Sequence, residues 1–116
     1  QPPTEPPPII TVHVQLVFHM TNMTRTEPMV SVEMPLGKTV YNVLELAKLK
    51  NPCYTATYVK LAWGRSVTSL CGVKKRPMLG YYWLIRVNGR RARYGVDGLR
   101  PKDGYVITFK YKKITF

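Results

Sequence analysis

From Ile9 the chain alternates: Ile10, Val12, Val14, Leu16, Phe18 and Met20 are apolar, with Thr11, His13, Gln15 and His19 set between them. A period of two places the first set on one face of a strand and the second on the other. The alternation resumes at Val30, Val32 and Met34 after a polar stretch, which predicts a hairpin with an irregular tip over residues 9–34. One segment has the helical period instead: Val40, Val43, Leu44 and Ala47 fall at i, i+3, i+4 and i+7. With Thr39 as N-cap and Asn51-Pro52 as a stop, it predicts a helix over Thr39 to Lys50. Strand patterns follow over Tyr54 to Leu61 and Ser66 to Cys71, turning at Trp63-Gly64. Another runs from Tyr81 to Val87, turns at Asn88-Gly89 and returns to Tyr94. After a Pro101-Lys102-Asp103-Gly104 turn, a last strand starts at Tyr105. A hairpin, one crossing helix and several more strands predict an α+β fold, a β-grasp-like mixed sheet wrapped around one helix.

Residues 1–8 stand apart from this pattern. Five of the eight are proline, so they read as an extended arm or linker, and the folded domain is expected over 9–116. A chain of 116 residues buries roughly 65% of its unfolded surface, enough for a core that needs no metal. The longest apolar run, Tyr81 to Ile85, has five residues, far short of the ~20 that span a bilayer, so no transmembrane segment is expected. Three features point to a secreted, extracellular protein. The first residue is Gln1 rather than methionine, as in a mature form; Asn22-Met23-Thr24 is a glycosylation sequon; and the cysteines number two, as one disulfide requires.

Those cysteines, Cys53 and Cys71, precede one strand and end the next, so a hairpin turning near Trp63 brings them opposite each other. A disulfide closing this interval would stabilise the fold by about 3 kcal/mol in the chain-entropy model. Two buried free thiols are the other reading, and a metal site lacks two further ligands.

Catalysis is tested by inventory. His13 and His19 share a face but lie about 20 Å apart at the strand rise, too far to hold one metal or relay one proton. Asp97 and Asp103 are turn residues, Glu5, Glu27, Glu33 and Glu45 are scattered, and no phosphate-binding glycine loop or nucleophile-base arrangement occurs. The chain reads as a non-enzyme that requires no cofactor.

Charge adds a second theme. Eighteen Lys+Arg against six Asp+Glu give a net charge of +12. A two-residue Asn88-Gly89 loop fixes register, pairing 87 with 90, 86 with 91, 85 with 92, 84 with 93 and 83 with 94. One face then carries Trp83, Ile85, Val87, Ala92 and Tyr94, the set expected against the helix; the other carries Tyr82, Leu84, Arg86, Arg91 and Arg93. Arg86 opposite Arg91 is destabilising unless an anion neutralises the pair. Lys110 and Lys112 on the last strand and Lys74, Lys75 and Arg76 in a nearby turn enlarge the basic surface. Each cluster is either a solvated face or part of a site for extracellular polyanions such as glycosaminoglycan, lipopolysaccharide or an anionic membrane. No motif for sequence-specific nucleic-acid recognition is present.

Several segments, taken in order and spacing, resemble one known family: Trp63-Gly64, Val67-Thr68-Ser69-Leu70, Tyr82-Trp83 and the run from Gly95-Val96-Asp97-Gly98 to Lys102-Asp103-Gly104, closing on Phe109 and Tyr111. They look like the C-terminal β-domain of the cobalamin carriers transcobalamin, haptocorrin and intrinsic factor, over about 105 residues. The resemblance implies a β-grasp domain that binds a corrinoid, cobalamin itself being the possible ligand, or a similar planar molecule. It implies corrin-facing residues at Ser69 and Leu70 and at Tyr82, Trp83, Leu84, Ile85 and Arg86. Leu84 departs from the family, which has a polar residue there, and Arg86 replaces an apolar one. The large helical barrel that supplies most corrin contacts in that family has no counterpart in this sequence. Either a separate helical partner domain supplies it or this is a stand-alone module with another task, and sheet edges left uncovered are natural surfaces for a homo-oligomer.

Overall fold

A computed structural model describes residues 5–114. Positions 1–4 of the expected arm lie outside the described residues, and Glu5 to Pro8 are exposed without regular structure. The alternating first segment is one long strand, β1 (Ile9–Met20), followed by β2 (Met23–Thr26) and β3 (Val30–Pro35). Both pair antiparallel with the same edge of β1, β3 along Ile9 to Val14 and β2 along Val17 to Met20. The irregular tip is thus a short strand of its own, and the sequon residue Asn22 sits in the exposed turn before it.

The helical period yields α1 (Val40–Lys50) with Thr39 at its N-cap, and the buried residues are Val40, Val43, Leu44 and Ala47, the four that the spacing selects. The helix start is satisfied from far along the chain. Val40 N donates to Leu99 O at 2.9 Å and Tyr41 N to Val96 O at 3.0 Å, so the 96–99 loop takes up two of the unpaired N–H groups of the first turn. A short 3-10 turn, Pro52–Tyr54, follows and leads to β4 (Ala56–Leu61), β5 (Gly64–Leu70) and β6 (Val73–Lys74), which form a separate three-stranded sheet. The remaining strands are β7 (Tyr81–Val87), β8 (Arg90–Arg91) and β9 (Val106–Lys113). They join β1 in one sheet ordered β2-β1-β9-β7-β8, with β9 parallel to β1 and antiparallel to β7. The fold is α+β, with one helix on a mixed sheet and a small second sheet beside it.

The core lies between α1 and the main sheet. Val12, Val14, Leu16 and Phe18 of β1, Val32 and Met34 of β3, and Ile107 and Phe109 of β9 are buried with the helix residues. Tyr54 completes it from the 3-10 turn. Between the stretches of β1 paired with β3 and with β2, its hydroxyl donates to Val14 O at 3.0 Å and Pro28 O at 3.2 Å, satisfying buried carbonyls where the ladder is interrupted. Burial pushes its phenol pKa up to about 12. Cys53 and Cys71 are joined in a disulfide that ties this turn to the end of β5.

The Asn88-Gly89 turn has positive φ at both central residues, 50° and 83°, as a tight two-residue hairpin requires. Its register pairs Val87 with Arg90 and Arg86 with Arg91, and Ala92 N still donates to Ile85 O at 2.9 Å. The expected pairing ends there. Residues 93 and 94 do not pair with 84 and 83, because the next segment is held on β5 instead: Asp97 accepts from Arg65 N at 2.7 Å and Arg65 Nη1 at 2.6 Å. Tyr94 is accordingly exposed rather than packed against the helix.

Candidate functional site

β5 pairs with β4 along its length but with β6 only at Ser69 and Leu70. β7 pairs with β9 throughout but with β8 only at Arg86 and Val87. The departure of residues 93–97 from β7 towards β5 leaves a cleft of about 200 Å3 between the two strands, lined among others by Trp63, Ser66, Val67, Trp83, Ile85 and Tyr94. Leu84, Arg65 and Arg91 also border it.

The cleft has one fixed aromatic and two exposed ones. Trp83 Nε1 donates to Val73 O at 2.9 Å, and its ring meets Phe18 edge-on at 5.5 Å and Tyr111 at 5.0 Å. Tyr111 is itself anchored, its hydroxyl donating to Lys74 O at 2.9 Å, and burial raises its pKa above the usual phenol value. By contrast, Trp63 is 77% exposed at the β4–β5 turn and Tyr94 is 66% exposed across the opening. The Arg65 guanidinium is held 3.9 Å over the Tyr41 ring while it pairs with Asp97. Tyr41 in turn meets Tyr58 edge-on at 5.4 Å, and burial pushes the Tyr58 phenol up. Trp63, Trp83 and Tyr94 give the cleft aromatic walls beside the Arg65 and Arg91 cations, a combination suited to stacking on a flat ligand.

Of the residues expected to face a corrin, Trp83, Leu84 and Ile85 border this cleft. Ser69 and Leu70 lie outside the cleft lining and are buried: the Ser69 hydroxyl is 2.6 Å from Thr57 Oγ1 and Leu70 is in the core. Tyr82 and Arg86 alternate to the outward face of β7. Trp63, Tyr94 and Arg65 are the residues that sequence reasoning missed. Trp63 read as a turn and Tyr94 as a core residue; a tryptophan at a hairpin turn, where burial is hard to achieve, was the available signal.

The basic residues divide into two groups. Arg86, Arg91, Lys112 and Lys113 surround a hollow of about 260 Å3 on the outward face, with Lys110 paired to Leu84 beside it. Arg93 is exposed and lies outside the strands. Lys74, Lys75 and Arg76 are at the other end of β7, around a separate cavity. His13 and His19 are engaged with neighbouring strands, His13 Nδ1 lying 2.7 Å from Ser31 Oγ and His19 Nδ1 3.4 Å from Thr24 Oγ1. Asp103 accepts from Thr11 N at 2.8 Å, a long-range tie rather than a local turn bond. The Glu27 carboxylate comes within 4.8 Å of the sulfurs of Cys53 and Cys71, but joined sulfurs offer no thiolate for a metal.

Residues 37–113 match the family described as Domain of unknown function (DUF4430), and the chain belongs to it. No curated protein matches the chain by sequence. Among solved structures, haptocorrin in complex with Cbi superposes with a TM-score of 0.77 at 18% identity, covering 90% of this chain and 26% of haptocorrin. A protein from Ruminococcus gnavus with a provisional metal-binding designation superposes with a TM-score of 0.67 at 14% identity, covering 91% of this chain and 99% of the other. The chain therefore has the fold of about a quarter of haptocorrin and nearly all of the second protein.

Proposed function

We propose that this chain is a non-catalytic binding module whose β5/β7 cleft takes a corrinoid or a similar planar ligand, weakly alone or jointly with a helical partner domain. The observation that carries this reading is the cleft itself: Trp83 fixed at its side and Trp63 and Tyr94 exposed across it, in a fold shared with a protein solved with Cbi. Aromatic faces bind a flat macrocycle through dispersion and offset stacking, and the incompletely paired edges of β5 and β7 offer backbone groups to ligand amides. The cleft is open to solvent on one side, which supports weak binding by this module taken alone and tighter binding with a partner domain over the opening. The β-grasp description, the arm as a linker to another domain, secretion and glycosylation at Asn22 belong to the same reading. The first two are supported by the resemblance to the carriers, secretion by the disulfide, and glycosylation by the exposed Asn22-Met23-Thr24 sequon. Titrating the protein with cobinamide or cobalamin while recording the visible spectrum tests the ligand class.

A second reading rests on a different observation. Four cations, Arg86, Arg91, Lys112 and Lys113, surround one hollow, and Arg86 lies directly opposite Arg91. Such a group attracts an anionic ligand, and a sulfated polysaccharide fits the repeated charge along β9 and β7. Heparin affinity that drops in the Arg86→Ala/Arg91→Ala variant supports this reading, and unchanged elution argues for adsorption by net charge alone.

A further inference from the structure

The 3-10 turn Pro77–Leu79 projects its apolar side chains into solvent. Met78 is fully exposed and Leu79 is 57% exposed. The turn is rigid: Arg76 and Tyr81 exchange two backbone hydrogen bonds at 2.9 and 3.0 Å, Gly80 N donates to Pro77 O at 3.0 Å, and Ile114 N donates to Gly80 O at 2.8 Å. Gly80 has φ 81°, and a Cβ there would meet Ile114 O at 3.2 Å, so the geometry calls for glycine. Since its backbone groups are largely paired, the turn holds two apolar side chains outward at little conformational cost.

Below that apex a cavity of about 620 Å3 is bordered by Met20, Leu79, Tyr81 and Tyr111 on its apolar side and by Lys74, Lys75 and Arg76. Tyr81 and Tyr111 stack at 5.2 Å and 12°. None of the three ion pairs among the described residues involves those cations. No Asp or Glu occurs between Glu45 and Asp97, whereas that interval holds eleven Lys and Arg. An apolar apex, a collar of cations and an aromatic wall below are the three components of a surface that enters a lipid interface.

The geometry points to the Pro77–Leu79 turn as a docking point for an anionic lipid bilayer, with Met78 and Leu79 entering the interface and Lys74, Lys75 and Arg76 meeting headgroup phosphates. This site is separate from the β5/β7 cleft and from the Arg86/Arg91 hollow, and it stands or falls independently of both. A bilayer fits better than a soluble polyanion because a polyanion makes no use of Met78 and Leu79, whereas an interface stabilises them by removing apolar area from water.

The test is co-sedimentation with vesicles of phosphatidylcholine containing about 30% phosphatidylserine, against vesicles of phosphatidylcholine alone, since anionic lipid supplies the attraction. Wild type should pellet with the mixed vesicles and not with the neutral ones. Lys74→Ala/Lys75→Ala/Arg76→Ala should weaken partitioning roughly a hundredfold. Met78→Ser/Leu79→Ser leaves the charge unchanged and should weaken it by about tenfold or more. The same variant should elute from heparin at the wild-type salt concentration and keep the wild-type thermal midpoint, both side chains being at the surface. Absence of wild-type pelleting overturns the proposal, as does equal pelleting with neutral vesicles. If Met78→Ser/Leu79→Ser partitions like wild type, attraction is by charge alone and the bilayer is the wrong partner.

Discussion

Removing the Asp97 carboxylate should both destabilise the fold and open the cleft. Asp97 receives a backbone N–H from Arg65 at 2.7 Å and its guanidinium at 2.6 Å, and these bonds hold the 94–97 segment on β5. The backbone bond is charge-assisted and partly buried, a type worth about 1.5–3 kcal/mol. The ion pair is partly solvated, with side chains 42% and 27% exposed, and adds at most about 1 kcal/mol after screening. Asp97→Ala should therefore cost roughly 2–3 kcal/mol in total, equivalent to a fall of about 8–12 °C in thermal midpoint for a domain of this size. Asp97→Asn keeps an acceptor for Arg65 N and loses the charge, so it should cost about half as much. Circular dichroism melts of the three proteins, read alongside the fluorescence of Trp63 and Trp83, give the comparison. A midpoint for Asp97→Ala equal to wild type would show that the 94–97 segment is held by something else. Equal losses in both variants would place the energy in the charge rather than in the hydrogen bond.

Three further outcomes follow from the same structure. The Tyr54 phenol, raised to about 12 by burial from an ordinary value of 10.0, keeps its proton in the folded state while the unfolded chain loses it. Its contribution is complete below pH ~10 and is lost as pH rises towards ~12, so the stability difference between wild type and Tyr54→Phe should shrink across that window by a few kcal/mol; a pH-independent difference in urea midpoints would contradict it. The Cys53–Cys71 bridge should prevent alkylation of the denatured, unreduced protein, and its reduction should cost about 3 kcal/mol for an 18-residue separation. Uptake of two alkyl groups without reductant, read by mass, would refute it. Arg86→Ala/Arg91→Ala should leave urea stability equal or slightly greater, because it relieves like charges paired across strands; a loss would mean that the arginines are satisfied within the protein, as the 3.2 Å bond from Arg86 Nη1 to Gly89 O already does in part.

Much of the main sheet was legible because its patterns are local. The alternation from Ile10 to Met20, the spacing of Val40, Val43, Leu44 and Ala47, and the Asn88-Gly89 turn each encode an element in consecutive residues. What was not legible depends on partners far along the chain. The return strand was expected to run to Tyr94, but a free edge of β7 competes with the Asp97 carboxylate 32 residues beyond Arg65, and nothing local decides that contest. Tyr54 read as the start of a strand; its place is set by the Val14 carbonyl 40 residues away. The candidate site was half visible for the same reason. Trp83 and Ile85 follow from the resemblance, since strand alternation alone sets them against the helix, and the same resemblance singles out Ser69 and Leu70, which are buried at the end of the second sheet. Trp63 and Tyr94 come together only where two strand edges face each other across a cleft.

The most direct measurement of the central claim is a spectroscopic titration of the intact chain with cobinamide, run in parallel on wild type, Trp63→Ala and Tyr94→Ala. The account predicts a saturable change in the visible spectrum at one ligand per chain, with an affinity no better than about micromolar, on the order of −8 kcal/mol. Each aromatic truncation should weaken binding by about two- to tenfold, the equivalent of ~0.5–1.5 kcal/mol of stacking, with the thermal midpoint unchanged. No spectral change up to millimolar ligand, or saturation that both variants reproduce at wild-type affinity, would remove the cleft from consideration as a binding site for a planar ligand.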